Sequence, residues 1–178
     1  MHFERIADIF AENDAVRADL KRLLAKISDD QAALILEGEK WTIAEIVEHI
    51  SIVDEGASKI CSKLLGKPDG QRSQRVDAKP AVSEKFSMHL AEMNEVKLDA
   101  PERVQPTGAV SISDSMMRLD GNRKRLRELQ PSFESAQNEA TFPHPYFGEM
   151  SAVEWLILIG RHESRHLTQI RKVLEKLK

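Results

Sequence analysis

All seven prolines of the 178-residue chain fall in two windows, 68–106 and 131–145. Because proline costs about 3 kcal/mol inside a helix, the stretches 1–67, 107–130 and 146–178 are the places where long helices can form. In the first stretch Ile6, Ile9, Phe10, Val16, Leu20, Leu23, Leu24 and Ile27 recur at helical spacing and predict one buried face. Gly38 breaks that pattern. Trp41-Thr42-Ile43-Ala44-Glu45-Ile46 then supplies a threonine N-cap with a glutamate three residues on, so a second helix is predicted from Thr42 to about Gly66. Ile112, Met116, Leu119, Leu126 and Leu129 mark a third over about 112–130, ended by Pro131. Ser151 and Glu154 repeat the capping box, with Met150 placed to staple onto Trp155, and a last helix runs from about 151 to the C-terminus.

No stretch alternates β-branched residues convincingly. Four amphipathic helices therefore predict an all-α four-helix bundle, with 1–178 as a single domain. The connection between the second and third helices, about 66–110, is too long for a tight turn. It predicts a crossover carrying a short helix near 83–97, where Phe86, Leu90, Met93 and Leu98 are loosely periodic, and Ser28 to Glu37 predicts another short helix.

A lone Cys61 excludes a disulfide framework and a cysteine zinc cluster, and suits a reducing cytoplasm. The net charge of −3, with both signs interspersed, provides no field for nucleic acid. No apolar segment follows the charged start, and the longest apolar run, Trp155 to Ile159, is far too short for a membrane span. A soluble, cytoplasmic protein with a small-molecule substrate is the expectation.

The residues that carry chemistry are histidines. His162 and His166 are four apart on the last helix and share one face. His166 falls within the arc of Trp155, Ile159, Ile170, Val173 and Leu177, and His162 lies on its edge. His49 borders the buried stripe of the second helix between Ile46 and Val53. Three imidazoles from two helices can meet in a bundle core and hold one divalent ion with a coordination position left open, as catalytic sites do. Imidazole suits zinc and nickel, and equally cobalt and ferrous iron. The competing reading is three separate core or surface histidines.

His162-Glu163-Ser164-Arg165-His166 also matches the H-E-x-x-H pattern of zinc proteases. Those enzymes need a third ligand downstream, and only twelve residues follow His166. A protease is therefore not expected. Glu163 has Ile159, Leu167, Leu156 and Ile170 as helical neighbours, so it is more than a plain surface residue. It reads either as a base or orienting partner beside the histidines or as half of an inter-helix salt bridge. Asp54, beside Val47, Ile50, Ala57 and Cys61, either pairs with a cation or orients a ligand in the pocket. His144, between Pro143 and Pro145, either lines the pocket mouth or makes an orienting hydrogen bond. Cys61 lies roughly 18 Å along the helix from His49 and belongs to the core. Arg123-Lys124-Arg125-Leu126-Arg127 reads as a solvated face.

The Trp41-Thr42-Ile43-Ala44-Glu45 segment with His49 following, the Phe142-Pro143-His144-Pro145-Tyr146-Phe147-Gly148 loop before Trp155, and the closing His162-x-x-x-His166-Leu167-x-Gln169-Ile170 resemble, in order, the DinB-like (DinB/YfiT) superfamily. The resemblance spans nearly the whole chain. It implies a four-helix bundle with a long crossover, a homodimer, and a divalent metal held by His49, His162 and His166. It also implies chemistry between thiol S-transfer, with a low-molecular-weight thiol as co-substrate, and metal-dependent hydrolysis. The alternative from another class is a non-catalytic, stress-associated binding or interaction bundle whose metal site is structural or vestigial.

Overall fold

The computed structural model describes residues 3–66, 79–92, 99–135 and 140–177. Four long helices carry the fold: α1 (Ile6–Leu24), α3 (Ile43–Leu65), α5 (Ile112–Glu128) and α7 (Ala152–Lys176). Between them lie short α2 (Asp29–Ala33), α4 (Glu84–Glu92) and α6 (Gln130–Ser135), a single 3-10 turn at Glu102–Val104, and a hairpin of β1 (Thr141–His144) and β2 (Gly148–Ser151). The chain is an all-α four-helix bundle with the long crossover between α3 and α5.

Both predicted capping boxes form. Thr42 accepts from the Glu45 amide while Glu45 takes the Thr42 amide, and Ser151 and Glu154 do the same at α7. Each satisfies two of the donors that a helix start leaves unpaired. Pro131 does not simply end α5. It sits in the first turn of α6, where its missing N–H costs nothing. The short helix expected near 83–97 is observed over Glu84–Glu92, and the rest of that expectation lies outside the described residues.

The sequence reading missed the hairpin. Thr141 pairs with Ser151, Phe142 with Met150, Pro143 with Glu149 and His144 with Gly148. Two strands of four residues with a proline in one carry no readable alternation, and a two-stranded ribbon tolerates proline because an edge leaves some N–H groups unpaired anyway. Gly148, at φ +74°, turns the chain back.

Helix α3 packs against both α5 and α7, and α1 packs against α7. Two apolar clusters fill the interior. One gathers Ile6, Ile9 and Phe10 with Ala57, Cys61, Leu65, Leu126 and residues of the hairpin and early α7. The other gathers Leu20 and Leu24 with Ile43, Ile46, Ile50, Leu119, Leu167, Ile170 and Val173. Read along each helix, these clusters show that α1 and α7 run one way and α3 and α5 the other. That is why the chain needs a crossover after α3 to start α5 at the same end.

Between the two clusters lies a buried polar layer of Asn13, Arg17, Asp54, Asn122 and Glu163. Asn13 donates to the Leu156 carbonyl at 2.9 Å beside Gly160, where any Cβ would lie 1.8 Å from the Asn13 amide oxygen. Glycine therefore lets α1 approach α7 closely. Long side chains bridge the opposite seam, between α1 and α5: Arg123 to Asp14 at 3.2 Å, Lys21 to Asp120 at 2.9 Å, and Arg127 to Asp14 with its guanidinium over the Phe10 ring. The basic run is thus a correction to the reading of a solvated face. Arg123 is mostly buried, and Arg125 reaches Ser58 at 2.9 Å.

Candidate metal centre

His49 sits two turns into α3, and His162 and His166 sit mid-way along α7, on the face that meets α3. Their rings converge. The Nε2 of His162 lies 3.1 Å from the Nε2 of His49 and 3.1 Å from that of His166. Among the described residues this trio is the one group of histidine, cysteine or carboxylate side chains compact enough to share an ion. His49 and His166 are buried, and His162 is half-buried as a residue.

The outer nitrogens are already committed. His49 Nδ1 lies 2.7 Å from the Val104 carbonyl, and His166 Nδ1 lies 2.8 Å from Gln169 Oε1. A carbonyl oxygen only accepts, so in each ring Nδ1 carries the proton and Nε2 presents a lone pair. His162 Nε2 has one hydrogen at most and faces two such lone pairs. Burial holds all three rings below the ordinary imidazole range, His166 at about 4, and the neighbouring rings push His162 further down. Burial therefore works against relieving the contact by adding protons to these rings. One ion would relieve it: two nitrogens about 2.05 Å from a common centre and 3.1 Å apart subtend roughly 98°, between octahedral and tetrahedral values.

The Val104 carbonyl comes from the crossover, 55 residues along the chain from His49. Glu48 holds that strap in place. Its carboxylate, 1% exposed, accepts from the Thr107 amide at 3.0 Å, the Thr107 hydroxyl at 2.7 Å and the Gly108 amide at 2.9 Å. Burial pushes the Glu48 carboxyl up, but these hydrogen bonds outweigh it and hold the group below its ordinary value. Trp41 packs on the other side of His49, ring centres 4.8 Å apart.

The two carboxylates singled out from sequence lie elsewhere. Glu163 takes both Arg17 Nε at 2.6 Å and Arg17 Nη2 at 2.9 Å, a bidentate pair buried on both sides. Asp54 receives the same guanidinium at 3.3 Å. Burial raises the Asp54 carboxyl to about 6; Glu163 adds to the rise and Arg17 opposes it. His144 closes the β-turn instead, its Nδ1 accepting the Tyr146 and Phe147 amides at 3.1 and 3.2 Å. Its ring stands edge-on to Phe147 and Trp155, and burial, with Arg103 nearby, lowers its pKa to about 4.

Glu48 and Val104 at the site, and Arg17 in the polar layer behind it, are not singled out by the sequence, and Gln169 enters there only as part of the closing motif. For Arg17 there was a signal. It lies seven residues after Phe10 and three before Leu20, inside the buried stripe of α1, whereas Val16 is only half-buried.

Fold and site together define a helical bundle with a three-histidine centre built across α3 and α7. The chain belongs to the DinB superfamily, whose family model matches residues 12–170. It is 28% identical over 155 residues to the Bacillus subtilis protein YuaE, covering 86% of this chain and 90% of that one. A Bacillus mycoides protein, named as a proposed metal-dependent hydrolase, is 26% identical over 137 residues, covering 75% of this chain and 66% of its own. Among solved structures, the four-helix bundle protein TT2238 superposes with a TM-score of 0.61 at 21% identity, covering 94% of this chain and 98% of that one.

Proposed function

We propose that His49, His162 and His166 hold a divalent metal ion and that the protein is a metal-dependent enzyme acting on a small electrophilic substrate. The observation that carries this is the meeting of two committed lone pairs, on His49 and His166 Nε2, around His162 Nε2 at 3.1 Å. Apolar packing does not ask for such an arrangement. The relative named as a proposed metal-dependent hydrolase supports the same reading.

When bound, a divalent ion supplies a Lewis acid that makes a water or a low-molecular-weight thiol nucleophilic near neutral pH. The chain's own residues prepare the place. Val104 and Gln169 fix the tautomers of His49 and His166. Trp41 walls the His49 side. His144, with Nδ1 occupied as an acceptor in the hairpin turn, carries its proton on Nε2. Glu163 and Asp54, tied to Arg17, are assigned to the scaffold rather than to proton transfer.

Metal analysis tests the proposal. Purified protein is expected to bind about one equivalent of zinc, nickel or cobalt, and His49→Ala and His166→Ala to lose it with folding retained. Protein that cannot be loaded would refute the metal reading. Loaded protein that turns over an electrophile only with added thiol identifies S-transfer, and ester or amide cleavage without thiol identifies hydrolysis. Silence with both leaves a binding bundle. Because the two apolar clusters close without the ion, chelation is expected to abolish activity while leaving the unfolding midpoint within a few degrees.

A further inference from the structure

His49 has one proton and two neighbours that call for it. Its Nδ1 lies 2.7 Å from the Val104 carbonyl, and its Nε2 lies 3.1 Å from His162 Nε2. A neutral imidazole donates from one nitrogen only. With the proton on Nδ1 the strap contact is a hydrogen bond. With the proton on Nε2, given to His162, two lone pairs would face each other across the strap contact, which is costly in a buried place. His166 stands in the same way between Gln169 and His162, but Gln169 can turn its side-chain amide over and present an N–H. A main-chain carbonyl has no second face. The proton arrangement of the trio is therefore felt at the strap rather than at Gln169.

Metal binding ends this competition, because a ring nitrogen that serves as a ligand carries no proton. His49 then keeps its proton on Nδ1, and the positive charge at the ring makes that N–H a stronger donor to Val104. The strap is stitched so that the effect spreads. The Val104 and Gln105 amides donate to the Pro101 and Glu102 carbonyls at 3.0 and 3.1 Å, Gln105 Nε2 reaches the Ala100 carbonyl at 3.1 Å, and Pro106 stiffens the backbone leading to Thr107. Glu48, one residue before His49 on α3, holds Thr107 and Gly108. Two successive residues of one helix thus grip the strap. The Glu48 grip needs no metal, and the His49 grip is strengthened by one.

Resting on the metal reading above, we propose that the strap over 100–109 is a metal-responsive latch, docked more tightly on α3 when the trio is loaded. Coupling between two equilibria is reciprocal, so the docked strap raises metal affinity by the same factor. A segment that supplies none of the three histidines then regulates how firmly they hold their ion.

Amide hydrogen exchange followed by NMR, with and without one equivalent of zinc, reads the latch. The Thr107 and Gly108 amides report on it because they donate to Glu48 and not to a ring. The Ser83 amide, earlier in the crossover and donated to Glu154 at 2.8 Å, is the control. Zinc is expected to slow exchange at Thr107 and Gly108 roughly tenfold beyond any slowing at Ser83. Thr107→Ala removes a hydroxyl bond to Glu48, and Gly108→Ala puts a Cβ 3.3 Å from Glu45 Oε1 at a φ of +74°. Each is expected to weaken zinc binding, measured by calorimetry, by up to the same factor. Thr107 and Gly108 amides that exchange alike in zinc-bound and zinc-free protein, or slow no more than Ser83, would overturn the latch and leave the metal reading standing. Folded strap variants that both keep wild-type zinc affinity would do the same. The exchange comparison uses the natural chain, so it decides the matter even where a strap variant fails to fold. Protein that binds no zinc would overturn both readings.

Discussion

Replacing Arg17 by methionine isolates the energetics of the polar layer. Glu163 is 1% exposed and takes two hydrogen bonds from Arg17, at 2.6 and 2.9 Å, and Asp54 has the same guanidinium at 3.3 Å. Methionine keeps much of the arginine stem's volume but leaves two carboxylates in the interior without that cation. Breaking a buried pair this way costs about 3–5 kcal/mol, out of a total that for a domain is about 5–15 kcal/mol. At about 2–4 °C per kcal/mol for a chain of this size, the melting midpoint should fall by roughly 6–20 °C. Replacing the pair is a different perturbation. In Arg17→Met with Glu163→Leu, the carboxylate that took two of the three guanidinium hydrogen bonds is gone, only Asp54 is left to protonate, and apolar side chains fill the space between the two apolar clusters. Exchanges of that kind are often neutral or stabilising, so the double variant should recover most of the loss. Urea unfolding followed by far-UV circular dichroism, with the denaturant slope checked for constancy, measures all three proteins. A single variant costing under about 1 kcal/mol, or a double variant as unstable as the sum of its parts, would show that the layer is not held by this pair.

Asp54→Asn tests the same layer through pH. The Asp54 carboxyl is raised from 3.8 to about 6 in the folded state. Its contribution is therefore full below about pH 4 and lost as pH rises through 6, about 3 kcal/mol in all. Asparagine does not ionise, so the variant should exceed wild type by up to about 3 kcal/mol at pH 8 and match it at pH 4, measured as urea midpoints; an equal gap at both pH values contradicts the argument. Glu48→Gln sets an amide N–H against the donors of Thr107 or Gly108, which loosens the strap and the Val104 contact to His49. Metal affinity should drop roughly 10–100-fold, with nitrogen NMR showing His49 losing its single tautomer, and an unchanged affinity would remove Glu48 from the site.

The long helices were legible because their signals are local. A capping box is written in four residues, and the buried stripes of α3 and α7 are written in every third or fourth residue. The hairpin was not, because four-residue strands hold too few positions for a period-two pattern. The histidine trio was half legible. His162 and His166 announce themselves by spacing alone, but His49 is one histidine among apolar neighbours, and only the ordered resemblance to a family joined it to the other two. What holds His49 was not legible at all. Glu48 reads as one more charged residue of a helix until a segment some 60 positions away lies across it. That contact belongs to the topology, since the crossover must return along α3 to start α5 at the same end.

The spelling His162-Glu163-x-x-His166 gains a different meaning in this fold. On a helix, successive residues turn by about 100°, so His162 and His166 lie roughly 100° and 60° to the same side of Glu163. The bidentate grip of Arg17 of α1 on the Glu163 carboxylate turns that face of α7 toward α1. The side on which the two imidazoles then fall is the side that carries α3 and His49. The clamp acts together with the Asn13 bond to the Leu156 carbonyl and the close approach at Gly160, which also constrain the rotation of α7. In the proteases that share the spelling, the glutamate works on the reacting water. Here the same position ties α7 to Arg17 of α1, which together with the Asn13 contact at Gly160 holds the helix in the rotation that brings three nitrogens to one point.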